Sequence, residues 1–338
     1  ILISKNINTA FSDFMRDFVN LDSNRTTTAR SSRNWLIDQI NSIASKEEDF
    51  PILYSEKNIF FGSFARNTKI RELDDIDLMI CLSADGATYS ENSSWTNNIE
   101  INISDSSTVL KGLCHDDSTR VNSTKIINRF KKKLEDVHQY SSAEIHKNHE
   151  ALTLKLKSYE WNFDIVPCFM TSENSQGKTY YLIPDGKGYW KKTDPRIDKE
   201  NLTGTNQKHD GKMLNVIRLV KYWNRQKSIG INSSYLLENM VINYYKQDFV
   251  TCGSYIDMEF IKVLNYLKEA VKNPVDDPKG IQGDLNQIDS LDALLISSKI
   301  EIHYNKAKEA RELETNGDIE GCFDKWKEVL GNDFPDYE

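Results

Sequence analysis

The chain has 338 residues, of which 38% are hydrophobic, 10% aromatic and 28% charged, and its formal net charge is −8. That length and core content specify a soluble globular protein of one large or two ordinary domains. The acidic balance excludes non-specific attraction to bulk nucleic acid, which needs a basic surplus to neutralise phosphates. Cys81, Cys114, Cys168, Cys252 and Cys322 are scattered with no CxxC pair, a pattern that gives no zinc signature and no disulfide framework and fits buried thiols in a reducing compartment. The absence of an 18-residue apolar run or a signal-peptide pattern predicts a cytoplasmic protein without membrane attachment. Asn-x-Ser/Thr triplets at Asn24, Asn92, Asn122 and Asn201 then carry no meaning. A start at Ile1 and not Met leaves room for residues upstream.

In chain order, residues 9–20 read as a short amphipathic helix with Phe11, Met15 and Phe18 on one side. A longer helix capped by Thr26 or Thr27 runs through Lys46 and ends before Pro51. Strands follow at Asn58–Phe61 and Ile76–Leu82, joined through a Gly62-Ser63 turn. Residues 83–120, rich in Ser, Asn, Asp and Gly, read as an irregular insertion. Val121–Tyr140 is a strong amphipathic helix whose Lys131-Lys132-Lys133 run reads as a solvated face. His146 and His149 share a helix face at i, i+3 and read as surface residues, not ligands. Strands are predicted at Ala151–Leu156, Trp161–Phe169 and Tyr180–Ile183. From Asp194 the texture is helical: Pro195–Leu202, Gly211–Lys227, Ser233–Tyr245, Ile256–Val271, about Leu291–Leu313, and Ile319–Leu330. Asp116-Asp117 and Asp276-Asp277 read as loops. The chain thus divides into an α/β front half, residues 1–183, and an all-helical back half, residues 184–338.

Three carboxylates stand out. Asp75 and Asp77, at i and i+2 before an apolar run, share one face of an extended strand. Asp164 interrupts the apolar strand WNFDIVPCF, where a lone carboxylate is costly unless paired or holding a metal. Adjacent antiparallel strands would bring the three within a few ångströms, and such a group needs divalent cations to neutralise it, as two-metal phosphoryl transfer does. Gly62-Ser63, opening the next helix, can offer backbone N–H groups to a phosphate.

The spacing G-S-x(11)-D-x-D, with a third Asp on a later apolar strand, resembles the polymerase-β-like nucleotidyltransferases. GSFARNTKI…DDIDLM is similar to one branch, the bacterial cGAS/DncV-like nucleotidyltransferases, which are related to oligoadenylate synthase and cyclic GMP-AMP synthase. LVKYW at residues 219–223, followed by NSSYL at 232–236, continues the likeness, which covers residues 26 to 250. The resemblance implies an α/β (α+β) nucleotidyltransferase core with a mixed sheet and a C-terminal all-helical domain, bilobed with a central cleft. It implies Asp75, Asp77 and Asp164 as catalytic residues and ligands of two Mg²⁺ (or Mn²⁺) ions. It implies nucleotide binding by Gly62, Ser63, Lys221, Ser234 and Tyr235: Lys221 as a point charge for the β/γ phosphates, Ser234 hydrogen-bonding them, and Tyr235 stacking on a base.

The function so implied is a Mg-dependent synthesis of a cyclic oligonucleotide messenger from ATP and/or GTP with release of pyrophosphate, in anti-phage defence. The product would be a purine cyclic dinucleotide, cGAMP-like, or a trinucleotide, read by a separate effector protein. No clustered Cys/His insertion and no basic stripe beyond Lys131–Lys133 is present, so no stable nucleic-acid partner is expected, nor a membrane, and the protein is expected as a monomer. Two alternatives stay open: a nucleotidyltransferase modifying RNA or protein, and a catalytically silent nucleotide-binding subunit.

Overall fold

The computed structural model describes residues 3–90 and 97–338; the triplet at Asn92 lies outside the described residues. In chain order the elements are β1 (Ile3–Ser4), α1 (Ile7–Phe14), a π-helical turn (Met15–Val19), α2 (Ser23–Lys46), β2 (Ile59–Phe61), α3 (Gly62–Ala65), β3 (Asp75–Leu82), β4 (Thr88–Tyr89), β5 (Ile101–Asn102) and α4 (Ser123–Glu135). Then come β6 (Glu144–Asn148), β7 (Ala151–Lys155), β8 (Asn162–Met170), β9 (Tyr181–Pro184), β10 (Trp190–Thr193) and α5 (Pro195–Lys208). The chain closes with α6 (Met213–Gln226), α7 (Ser234–Tyr245), α8 (Ile256–Ala270), α9 (Ser290–Thr315), α10 (Ile319–Leu330) and β11 (Asp336–Tyr337).

The chain folds as two compact units. One comprises residues 23–66 and 73–197; the other comprises 1–22, 67–72 and 198–338. The first is built on a seven-stranded mixed sheet in which β10, β9, β8, β3 and β2 lie in that order, with β7 also paired to β8 and β6 to β7. Side chains alternate across it. On one face Ile76, Leu78, Ile80 and Leu82 of β3 and Phe163, Ile165 and Phe169 of β8 are buried, and α4 packs against β7, β8 and β9. The opposite face carries a smaller cluster, Met79, Cys81, Ala151, Val166, Cys168 and Tyr181. Two corrections to the sequence reading fall here. His146 lies on strand β6 and His149 in the tight β6–β7 turn with φ 49°, so the two share no helix, although both are exposed. In the Lys131–Lys133 run, the Lys133 side chain is only 13% exposed and pairs with Glu47 at 2.5 Å and Asp49 at 2.9 Å.

The second unit is helical. Its core gathers Phe11 and Phe14 of α1, the buried faces of α6, α7, α8 and α10, and Phe334. Phe11 meets Trp326 edge-on with centroids 4.8 Å apart and Phe334 at 5.0 Å, a geometry that adds to the stabilisation from area alone. β1 pairs in parallel with β11, Ile3 opposite Asp336. The 67–72 segment belongs to this unit through three donors spaced along α6: Arg218 Nη1 to the Asn67 carbonyl at 2.8 Å, Lys221 Nζ to the Thr68 carbonyl at 2.9 Å, and Arg225 Nη2 to the Arg71 carbonyl at 2.6 Å. All five cysteines are buried and free. No helix among the described residues is long and apolar enough to cross a membrane.

Candidate active site

Strand β3 begins at Asp75, and the sheet's two-residue period puts Asp75 and Asp77 on the face opposite Ile76 and Leu78. Asp77 lies directly across from Asp164 of β8, and Asp75 from Asn162. The three carboxylates therefore occupy one face, all half-buried. The pairing is parallel, not antiparallel as the sequence reading expected. A long connection that includes α4 separates β3 from β8, and a crossover of that kind is what lets two strands run in the same direction.

The register row continues outward. Phe61 of β2 stands opposite Asp77, and Thr153 of β7 stands opposite Asp164. Thr153 Oγ1 donates to Asp164 Oδ1 at 2.6 Å. That bond gives the carboxylate inside an apolar strand a partner and fixes its plane. Gly62 closes the row from above. Its φ is +70°, and a Cβ built on it would stand 1.8 Å from Asp77 Oδ2 and 2.6 Å from Asp77 Cγ. The Asp77 carboxylate thus rests in space that only glycine leaves open. Ser63 sits in the first turn of α3, where backbone N–H groups have no intrahelical acceptors, and Phe64 anchors that turn in the core.

The donor set suits a hard divalent cation: all ligands are carboxylate oxygens, borne by rigid strands and sharing one face. Among the described residues, however, no three His, Cys, Asp or Glu side chains are gathered into a group that could hold a metal. Asp164 gives one oxygen to Thr153, and Asp75 lies two residues along the strand from Asp77. The fit is one of donor chemistry and shared face.

The sequence-predicted residues of the helical unit have their own surroundings. Lys221 is 6% exposed; its ammonium donates to Glu238 Oε1 at 2.7 Å as well as to the Thr68 carbonyl, and Thr68 Oγ1 donates to the same Glu238 oxygen at 2.9 Å. Ser234 is exposed at the start of α7, whose cap is the neighbouring Ser233 hydroxyl, bonded to the Leu236 N–H at 3.1 Å. Tyr235 is half-buried, and its hydroxyl donates to Asp198 Oδ1 at 2.6 Å. Burial, then Asp198, pushes that phenol well above its ordinary value. Glu238, Thr153, Asp198 and Lys279 escaped the sequence reading. For Glu238 a signal existed: it is an acid inside the apolar run of α7, as Lys221 is a base inside that of α6, and opposite charges on two buried faces call for each other.

No protein-family model matches the chain. Over 335 residues, 99% of each sequence, it is 45% identical to a "probable cyclic nucleotide synthase" of Bacillus cereus strain VD146. Among solved structures, CdnC of Escherichia coli MS115-1 with ATP superposes with a TM-score of 0.69 at 15% identity, covering 97% of this chain and 98% of that one. The same protein in complex with HORMA-deltaN gives 0.67 over equal shares. Escherichia coli DncV in its 3′-deoxy GTP bound form gives 0.58 at 16% identity over 82% of this chain and 70% of that one.

Proposed function

The chain belongs to the bacterial cGAS/DncV-like nucleotidyltransferases, and from that premise we propose that it condenses ATP and/or GTP into a cyclic oligonucleotide, releasing pyrophosphate at each bond formed. The enzyme class, cyclic oligonucleotide synthase, follows from the 45% identical relative. The finer reading is a purine cyclic di- or trinucleotide, made with Mg²⁺ or Mn²⁺ and read by a separate effector in anti-phage defence. The observation that supports phosphoryl-transfer chemistry is the direct opposition of Asp77 and Asp164 on parallel strands, with Asp75 on the same face and Gly62 against Asp77.

In this reading Asp75, Asp77 and Asp164 hold the divalent ions. When bound, those ions neutralise the carboxylates and supply charge stabilisation for the entering hydroxyl and the departing pyrophosphate. The protein's own share is positioning. Thr153 occupies Asp164 Oδ1, so Oδ2 is the oxygen assigned to receive the proton of the attacking ribose hydroxyl. Asp77, backed by Gly62, is fixed on its strand, and Ser63 with the Gly62 and Ser63 amides binds triphosphate oxygens. Phosphate binding by Ser234 and base stacking by Tyr235 complete the assignment; Lys221, 6% exposed, takes its assigned place on the phosphates only by giving up its bonds to Glu238 and the Thr68 carbonyl.

The test is direct. The protein is incubated with all four NTPs and Mg²⁺ or Mn²⁺, treated with phosphatase and chromatographed. A phosphatase-resistant small product is expected from the wild type and none from Asp77→Asn, with the thermal melting curve of the variant intact. Pyrophosphate release from ATP plus GTP by Asp77→Asn would overturn the site, and labelled RNA or protein in place of a small product would overturn the reaction.

A further inference from the structure

Beside Tyr235 lies a group of charges that the catalytic reading does not use. Lys279 Nζ donates to the Tyr235 hydroxyl at 2.5 Å and approaches Asp277 at 2.8 Å and Asp198 at 3.4 Å. The side chains of Asp277, Lys279 and Asp198 are 0%, 5% and 10% exposed. Asp277 also accepts the backbone N–H groups of Lys279, Ile281 and Gln282, at 3.2, 3.1 and 2.9 Å, so it organises the loop between α8 and α9 that carries Lys279. A phenol has one proton to give. It goes to Asp198 at 2.6 Å in preference to Asp277 at 3.2 Å, while Lys279 supplies the donor to the phenol oxygen. The ammonium stands 2.5 Å from the hydroxyl and 4.4 Å from the ring centroid, so it sits at the hydroxyl end and not over the middle of the ring.

Burying two carboxylates with one ammonium is expensive, and packing alone would be served as well by apolar residues of the same volume. What these groups hold in common is the orientation of one ring. We propose that Asp198, Asp277 and Lys279 are positioning residues for nucleotide binding, locking the Tyr235 ring through its hydroxyl so that it is preset to stack on a base. The inference rests on the reading of Tyr235 as the stacking residue. Its chemistry is preorganisation: a ring already held loses no rotamer freedom when the base arrives.

The experiment measures KM and kcat for pyrophosphate release, and the calorimetric Kd, with ATP and with GTP in the presence of Mg²⁺, alongside the melting temperature of each variant. Tyr235→Phe keeps the ring and removes the hydroxyl. It is expected to raise KM and Kd roughly three- to tenfold with kcat little changed, the signature of lost binding in ground and transition state alike. Asp198→Asn is expected to match it in the wild-type background, and Lys279→Met, which also removes the ammonium between two buried carboxylates, to match it in KM and Kd with a lower melting temperature besides. Asp198→Asn added to Tyr235→Phe is expected to change KM and Kd no further, because both orient the ring through the same hydroxyl, while the loss of the 3.4 Å approach to Lys279 is read in the melting temperature. Equal losses from Asp198→Asn in both backgrounds, with a fall in melting temperature, would mark a merely structural cluster and overturn the proposal. Tyr235→Ala separates the two readings. If it weakens nucleotide binding while Tyr235→Phe and Asp198→Asn do not, stacking stands and the lock is refuted; if it leaves binding intact, the stacking reading itself fails.

Discussion

Gly62→Ala probes the candidate site through backbone geometry alone. At φ +70° an L-residue occupies the left-handed region, at a cost of roughly 1–2 kcal/mol. The new methyl would meet Asp77 Oδ2 at 1.8 Å, where real Cβ contacts begin near 3.0 Å, so the carboxylate must retreat by about 1.2 Å. On a domain of this size the backbone cost lowers the melting temperature by roughly 2–8 °C. The displacement weighs more on chemistry: a misplacement near 1 Å costs roughly a hundredfold in rate. Product formation is therefore expected to fall about a hundredfold at 25 °C, well below the melting transition, where the variant is still folded. Gly112→Ala is the control, since a Cβ there meets nothing within 4 Å and its φ is ordinary; it is expected to keep both rate and melting temperature. Wild-type turnover by Gly62→Ala with an unshifted melting curve would refute the reasoning that Asp77 is held by this contact.

Two further outcomes concern the helical unit. Lys221→Met removes the 2.7 Å ion pair with Glu238, which is 1% exposed, and is expected to cost about 3–5 kcal/mol in urea denaturation. Lys221→Met/Glu238→Leu should recover most of that, and a double variant no more stable than the single one would show that the pair is not the source. His303 gives a pH signature. Burial first, then Lys227 and Lys306, lowers its pKa to about 4, while a hydrogen bond involving the Val329 backbone works in the opposite direction. The unfolded chain, near 6.5, therefore binds more protons than the folded one between about pH 4 and 6.5, so stability falls with falling pH through that window and is level above it. His303→Phe is expected to flatten the curve; parallel curves for variant and wild type would contradict the assignment.

The carboxylates were legible because their chemistry is written in residue type and spacing: two acids at i, i+2 before an apolar run, and a third where an apolar strand should have none. Helix α10 was predicted at Ile319–Leu330 and is found there, since its apolar period and the Asp318 cap both lie within a dozen residues. The direction of β3 against β8 was not legible. It is set by a connection of nearly eighty residues, and neither strand's own pattern records whether its neighbour runs with it or against it. The same distance hid Thr153 as the partner of Asp164. Lys221 shows the subtler gap. Its motif named the residue, while its surroundings, a buried acid and a backbone carbonyl, depend on which turns of α6 and α7 meet. Asp276-Asp277 read as a plain acidic loop, and Asp277 is in fact the buried hub of that loop, because an acid that caps three amides is indistinguishable in sequence from a solvated one.

The interleaving of the two units along the chain has a consequence for synthesis. Helix α1 leaves the ribosome early with Ile7, Phe11 and Phe14 on one face, and much of the core they enter is built from α6 to α10 and Phe334. Phe14 precedes Phe334 by about 320 residues, which at 5–20 residues per second is a delay of roughly 15–60 s. Residues 23–66 and 73–197 can complete their own core during that interval. Until α6 to α10 emerge, the apolar face of α1 lacks most of the core it packs into, and exposed apolar surface of that kind is prone to association.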